Sequence, residues 1–125
     1  MEKIGIIGSG TWGTAIAVLL VNNGHEVALW SAIPAEIEEM AKTRTHRNLP
    51  GVTLPEGLIY TADLEKAMVD KDLLVMAVPS VFVRSTAQKM KTFCKDGQLI
   101  VDVAKGIEEN TLDTMTQIIK ILPNQ

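Results

Sequence analysis

The chain has a single cysteine, Cys94, among its 125 residues. That excludes an internal disulfide and a cysteine-based metal cluster. It fits a reduced thiol better than a nucleophile, because nothing near it in sequence would activate it. Metal-ligand spacing is also missing: His25 and His46 stand far apart, and neither H-E-x-x-H nor C-x-x-C occurs. No apolar run approaches the roughly 20 residues needed to span a bilayer. Met1-Glu2-Lys3 leads straight into the first strand, so no signal peptide is expected before it. There is no dense block of Lys and Arg, and the formal net charge is −3. A general attraction to nucleic acid or to an anionic membrane is therefore not expected. Internal repeats and low-complexity segments are absent as well.

What remains has the composition of a globular domain, with 46% hydrophobic and 22% charged residues. Apolar runs alternate with segments of helical period along the whole length. Lys3–Ile7, Glu26–Trp30, Leu58–Thr61, Leu73–Val78 and Leu99–Val103 read as strands. Between and after them, Thr11–Val21, Ala35–Lys42, Leu64–Val69, Val81–Phe93 and Thr111–Leu122 read as helices. Trp12, Ala15, Ile16, Leu19 and Leu20 form an apolar stripe on the first helix, and Gly24 suits the left-handed residue after its end. Pro34 suits a first helical position, and Asp63 and Ser80 suit helix N-caps. From Thr43 to Gly57 turn signals replace periodicity, which predicts a long loop, either functional or merely connecting. Strand–helix alternation of this kind implies a parallel sheet wrapped by right-handed crossovers. The expected fold is a Rossmann-type doubly wound α/β domain over residues 1–125, its strands ordered 3-2-1-4-5.

Gly8-Ser9-Gly10-Thr11-Trp12-Gly13 directly follows the first strand and opens the first helix. A strand, a tight turn and a helix start bring free backbone N–H groups and the positive end of a helix dipole to one point. Such a point suits a dinucleotide pyrophosphate. Gly8 makes the turn, Gly10 lets backbone approach the phosphates, and Gly13 lets helix and strand pack closely.

Ligands of open α/β sheets lie off the carboxyl ends of the strands. After the second strand come Ser31 and Ala32, where an NAD site usually has an acid about 20 residues beyond the glycines. No acid lies between Glu26 and Glu36. No Arg or Lys occupies Ser31 or Ala32 either, so NAD and NADP are left open and their affinities are expected within about tenfold. Arg44 and Arg47 of the long loop are the first suspects should a 2′-phosphate be read. Val78-Pro79-Ser80 follows the fourth strand, as a plain strand-to-helix turn or a contact to the nicotinamide half. Phe82 beside it suits core packing, with cofactor contact as the alternative. Lys105, before Gly106 at the end of the fifth strand, is by itself a solvated loop lysine, or, taken with the glycine turn, can bring an ammonium to the crevice.

Ile7–Ala15, Asn23–Trp30, Val78-Pro79-Ser80 and Lys105-Gly106-Ile107-Glu108 together resemble the bacterial-type NAD(P)-dependent glycerol-3-phosphate dehydrogenases. The resemblance covers nearly the whole chain. It implies that the domain binds NAD or NADP through Gly8, Ser9, Gly10, Thr11, Trp12, Gly13, Ser31, Ala32, Pro79, Ser80, Phe82 and Lys105. Lys105 would also meet the phosphorylated small-molecule substrate. It further implies a cytoplasmic enzyme, a possible homodimer, that interconverts sn-glycerol 3-phosphate and dihydroxyacetone phosphate for glycerophospholipid synthesis. No metal is implied. Family members carry a second, mostly helical domain with the general acid/base lysine, so no catalytic residue is expected in these 125 residues and the fragment alone should be inactive. A sixth, edge strand would also lie beyond Gln125. The departures are Ala32, where a His or Arg is common, and Ala104, where a Ser or Thr often precedes the lysine. Other two-domain dehydrogenases (3-hydroxyacid, 6-phosphogluconate or ketopantoate type) share the glycine turn but not the full set of motifs. A stand-alone NAD(P)-sensing module usually has an acid where Ser31 stands.

Overall fold

The computed structural model describes residues 1–103. Its elements run β1 (Lys3–Ile7), α1 (Thr11–Asn22), β2 (Glu26–Trp30), α2 (Pro34–Thr43), β3 (Ile59–Thr61), α3 (Leu64–Met68), β4 (Leu73–Met76), α4 (Ser80–Met90) and β5 (Leu99–Asp102). The five strands form one sheet in the order β3-β2-β1-β4-β5, and every pairing is parallel. The expected architecture and strand order are both present. The helix expected over Thr111–Leu122 lies outside the described residues.

Alternation along the strands explains why the sheet is covered twice. Ile4 and Ile6 of β1, Val27 and Leu29 of β2 and Val75 of β4 pack with Ala17 of α1 and with Ile37 and Met40 of α2. Ile7, Trp30, Leu74 and Met76 on the opposite face pack with Ala67 and Met68 of α3 and with Val83, Ala87 and Met90 of α4. The central strands β1, β2 and β4 contribute side chains to both layers, so their sequences are continuous apolar runs rather than alternating ones, whereas the edge strand β5 exposes Leu99 and Val101. Gly5 in β1 is part of the same arrangement. A Cβ there would collide with the backbone carbonyl of Ala67, so α3 lies on bare backbone.

The helix ends follow the chemistry of their residues. Gly24 adopts φ +91°, its N–H donates to Val21 and that of His25 to Leu20, the paired bonds that close a helix around a left-handed residue. The Asp63 carboxylate accepts from the Glu65 N–H at 3.0 Å. Ser80, however, is not the cap of its helix: Pro79 occupies that position and Ser80 is the first helical residue. The apolar stripe of α1 is also not its buried face. Trp12 and Leu19 are 59% and 58% exposed, while Gly13, Thr14 and Ala17 are the buried residues. Small residues face the sheet because α1 approaches it too closely for large ones.

The segment 44–57 contains turns but no helix or strand, as expected. It is nonetheless fixed. Leu54 is fully buried, its N–H donates to the Arg44 carbonyl at 2.7 Å, and Arg44 Nε donates back to the Leu54 carbonyl at 3.0 Å. Arg44 itself stands at φ +56° and ends α2.

Candidate dinucleotide-binding site

β1 ends at the centre of the sheet, and the chain must turn there to start α1. The Gly8 N–H still bonds across to the Trp30 carbonyl at 2.9 Å, after which the backbone takes φ +126°. A Cβ on Gly8 would lie 2.7 Å from the backbone of Ala77 and Val78. One on Gly13 would collide with the Gly8 carbonyl. The protein's own packing therefore requires these two glycines. Gly10 is different: a Cβ there would meet nothing within 4 Å, and the residue is exposed with ordinary dihedrals. No atom of the described residues requires glycine at this position, but the space beside it would be lost to a ligand if a side chain were added.

The first intrahelical bond of α1 runs from Thr14 N–H to the Gly10 carbonyl at 3.0 Å. The N–H groups of Thr11, Trp12 and Gly13 precede it and have no partner within the helix. Gly10, the N-cap residue, has no side chain with which to cap the helix, and the first turn contains no acid. An anion is thus offered both hydrogen-bond donors and the positive end of the dipole.

Ser9 is held from three sides. Its carbonyl lies 3.0 Å from Thr14 Oγ1, which donates to it, and 3.0 Å from His46 Nε2. Because His46 Nδ1 accepts from the Asn48 N–H at 3.1 Å, the neutral ring carries its proton on Nε2 and donates to Ser9. The Ser9 hydroxyl in turn donates to Glu36 Oε1 at 3.1 Å. The long loop and α2 thereby clamp the turn that faces the ligand space.

Gly8, Ser9 and Gly10, then Ser31 and Ala32, then Pro79 and Phe82 line one cleft of about 440 Å³. Thr11, Trp12, Gly13 and Ser80 stand next to it in the chain, at the starts of α1 and α4. Lys105 lies outside the described residues. Phe82 is 55% exposed, so it does not pack in the core; α4 presents it to the cleft. Ser31 is buried and its hydroxyl accepts from the Ile33 N–H at 3.1 Å, which shapes the β2–α2 turn.

Three residues of this neighbourhood escape a reading by spacing. Glu36 and Lys89 line the cleft, and His46 braces the turn. Of the two arginines suspected of reading a 2′-phosphate, Arg44 is tied to the Leu54 carbonyl and lies 3.7 Å from Glu56. Arg47 lines a neighbouring cleft that it shares with Glu36 and His46. Burial pushes the Cys94 thiol up from its ordinary pKa, so it is not an activated nucleophile. No helix among the described residues is long and apolar enough to cross a membrane.

A doubly wound sheet with a glycine turn at its central strand, an uncapped helix start and a cleft off the strand ends defines the class of dinucleotide-binding Rossmann domains. Residues 3–125 match the family described as the N-terminus of NAD-dependent glycerol-3-phosphate dehydrogenase, and the chain belongs to it. It is 53% identical over 119 residues to a glycerol-3-phosphate dehydrogenase (NAD(P)+) of Lactobacillus delbrueckii subsp. bulgaricus, covering 95% of this chain and 35% of that protein. A glycerol-3-phosphate dehydrogenase (NAD(P)+) of Agathobacter rectalis is 52% identical over 121 residues, or 96% of this chain and 36% of the relative. Among solved structures, the glycerol-3-phosphate dehydrogenase of Coxiella burnetii superimposes with a TM-score of 0.83 at 26% identity, covering 99% of this chain and 38% of its own. The chain thus spans little more than a third of the length of these relatives.

Proposed function

We propose that this chain is the cofactor-binding part of an NAD(P)-dependent glycerol-3-phosphate dehydrogenase, an oxidoreductase interconverting sn-glycerol 3-phosphate and dihydroxyacetone phosphate. The observation that carries the binding role is Gly10, a glycine that no atom of the described residues requires, at a helix start that its own side chain cannot cap. Gly8, Ser9, Gly10, Thr11, Trp12 and Gly13 hold the pyrophosphate. Ser31 and Ala32 border the adenosine ribose, while Pro79, Ser80 and Phe82 border the nicotinamide half. Lys105, outside the described residues, is assigned contact with cofactor and substrate by the family resemblance. When bound, the dinucleotide supplies hydride-transfer chemistry. The residues described here bind it, orient it and shield one side of it.

The proton exchanged during the reaction belongs, in this reading, to a lysine outside these residues. The whole enzyme acts in the cytoplasm, feeds glycerophospholipid synthesis, binds no nucleic acid, does not insert into membranes and pairs as a homodimer. Residues 1–125 form its NAD(P)-binding domain.

Titrating the 125-residue chain with NADH tests the binding role, with Gly10→Val as the matched variant. The wild-type chain should bind and the variant should not, with the same circular dichroism spectrum. Neither should oxidise NADH in the presence of roughly millimolar dihydroxyacetone phosphate, the upper end of ordinary KM values. Equal binding by both chains overturns the pyrophosphate assignment, and turnover by the wild type overturns the placement of the acid/base group.

A further inference from the structure

In doubly wound domains the adenosine ribose lies off the end of β2, where a carboxylate accepts from its hydroxyls. This chain has Ser31 and Ala32 there, yet a carboxylate reaches the same cleft from another element. Glu36, in the first turn of α2 and half-buried, lines the cleft together with Ser31, Ala32 and Gly10. One of its oxygens is fixed by the Ser9 hydroxyl at 3.1 Å. Ser9 is itself fixed through its carbonyl by Thr14 and His46. The carboxylate is therefore anchored to the glycine turn rather than sweeping the surface of α2.

We propose that Glu36 reads the adenosine ribose and makes this site select NAD(H) over NADP(H). The inference rests on the dinucleotide reading above. An ionised carboxylate is only an acceptor, and the ribose hydroxyls are donors that match it. A 2′-phosphate replaces one donor by a dianionic group made of acceptors, so hydrogen bonding and charge both turn against it in a half-buried site. Among the described residues, two cations line these clefts. Arg47 lines the cleft on the other side of Glu36, and Lys89 of α4 lines the dinucleotide cleft itself. Both are exposed, so solvent screens them more than it screens the anchored carboxylate. In place of the near-equal affinities expected from Ser31 and Ala32 alone, NADH is favoured.

The test is a titration of the full 125-residue chain with NADH and with NADPH at one ionic strength, repeated for Glu36→Gln and Arg47→Ala. Wild type should prefer NADH by about tenfold or more. Glu36→Gln should bring the two within about threefold, chiefly by tightening NADPH. Arg47→Ala should keep the preference. Equal affinities in wild type, a preference that survives Glu36→Gln, or a ratio that moves only in Arg47→Ala overturns the inference while leaving the dinucleotide site intact. A wild-type chain that binds neither cofactor overturns the site and the inference with it.

Discussion

The two ends of the sheet are built on opposite plans. At the amino end the chain satisfies itself. Lys3 N–H donates to the Asp72 carboxylate at 2.8 Å and Glu2 N–H to His25 Nδ1 at 3.0 Å. Asp72 N–H donates to the Lys3 carbonyl and Glu26 N–H to the Glu2 carbonyl. Gly24 closes α1 on itself. At the carboxyl end, α1 starts after Gly10, which has no side chain to cap its first N–H groups, while Trp12, Val81 and Phe82 stand exposed. Sequence can complete a helix end cheaply, with one Ser, Asp or Asn; Asp63 does so for α3, and Gly10 leaves α1 without one. The contrast teaches that, among the described residues, hydrogen-bonding capacity is closed off at the amino end and left open at the carboxyl end.

The largest test of this contrast separates the glycines. Gly13→Ala forces a methyl group onto the Gly8 carbonyl, and neither backbone can yield without displacing α1. We expect a loss of about 3 kcal/mol or more in urea unfolding, enough to unfold much of a marginal domain. Gly10→Val should instead remove dinucleotide binding altogether while costing only about 1 kcal/mol, the preference of an N-cap for Gly over Val. If both variants lose the same stability, Gly10 belongs to the packing and not to the ligand.

His46 comes next. His46→Ala leaves the Ser9 carbonyl with Thr14 alone and the Asn48 N–H without its acceptor. A stability loss of about 1–3 kcal/mol is expected, the cost of breaking buried hydrogen bonds. NADH binding should weaken through faster dissociation, because the turn is less well held. Unchanged kinetics in stopped-flow would mean that the loop does not brace the site.

The smallest effect is at the amino end. The Lys3 N–H beside Asp72 holds its carboxyl below the ordinary carboxylate pKa, helped by the charges of Lys95 and Lys3. A lowered native value means that the contribution is present above the unfolded pKa and is lost as pH falls through the native one. Asp72→Asn should therefore be slightly less stable than wild type at neutral pH, with the gap closing in acid. Melting curves across the acid range check this, and a gap that widens on acidification would contradict it.

Strand–helix alternation was readable because the three central strands are buried on both faces, which makes Ile4–Ile7 or Leu73–Met76 continuous apolar runs between helical segments, and the strand order follows from the fold class that this alternation implies. The glycine turn was readable for a similar reason: it is contiguous. The buried face of α1 was not, since periodicity marks Trp12 and Leu19 as core, while close approach to the sheet selects Gly13, Thr14 and Ala17. Nor were Glu36 and His46. They meet Ser9 across 27 and 37 residues, and no local pattern carries information over such spans. A search limited to the end of β2 could find no acid because the carboxylate comes from the next helix.

The placement of β1 has a consequence in time as well as in space. It is the first strand in the chain and the middle strand of the sheet, with β2 on one side and β4 on the other. Its second neighbour begins at Leu73, the register partner of Ile4. At ribosomal rates, on the order of several seconds separate the emergence of β1 from that of β4. During that interval the nascent sheet has only one side of β1 occupied, and a five-residue strand with three isoleucines and a glycine waits with an open hydrogen-bonding edge. The strand that will carry the glycine turn is thus the one most in need of protection during synthesis, and its maturation depends on the second half of the domain.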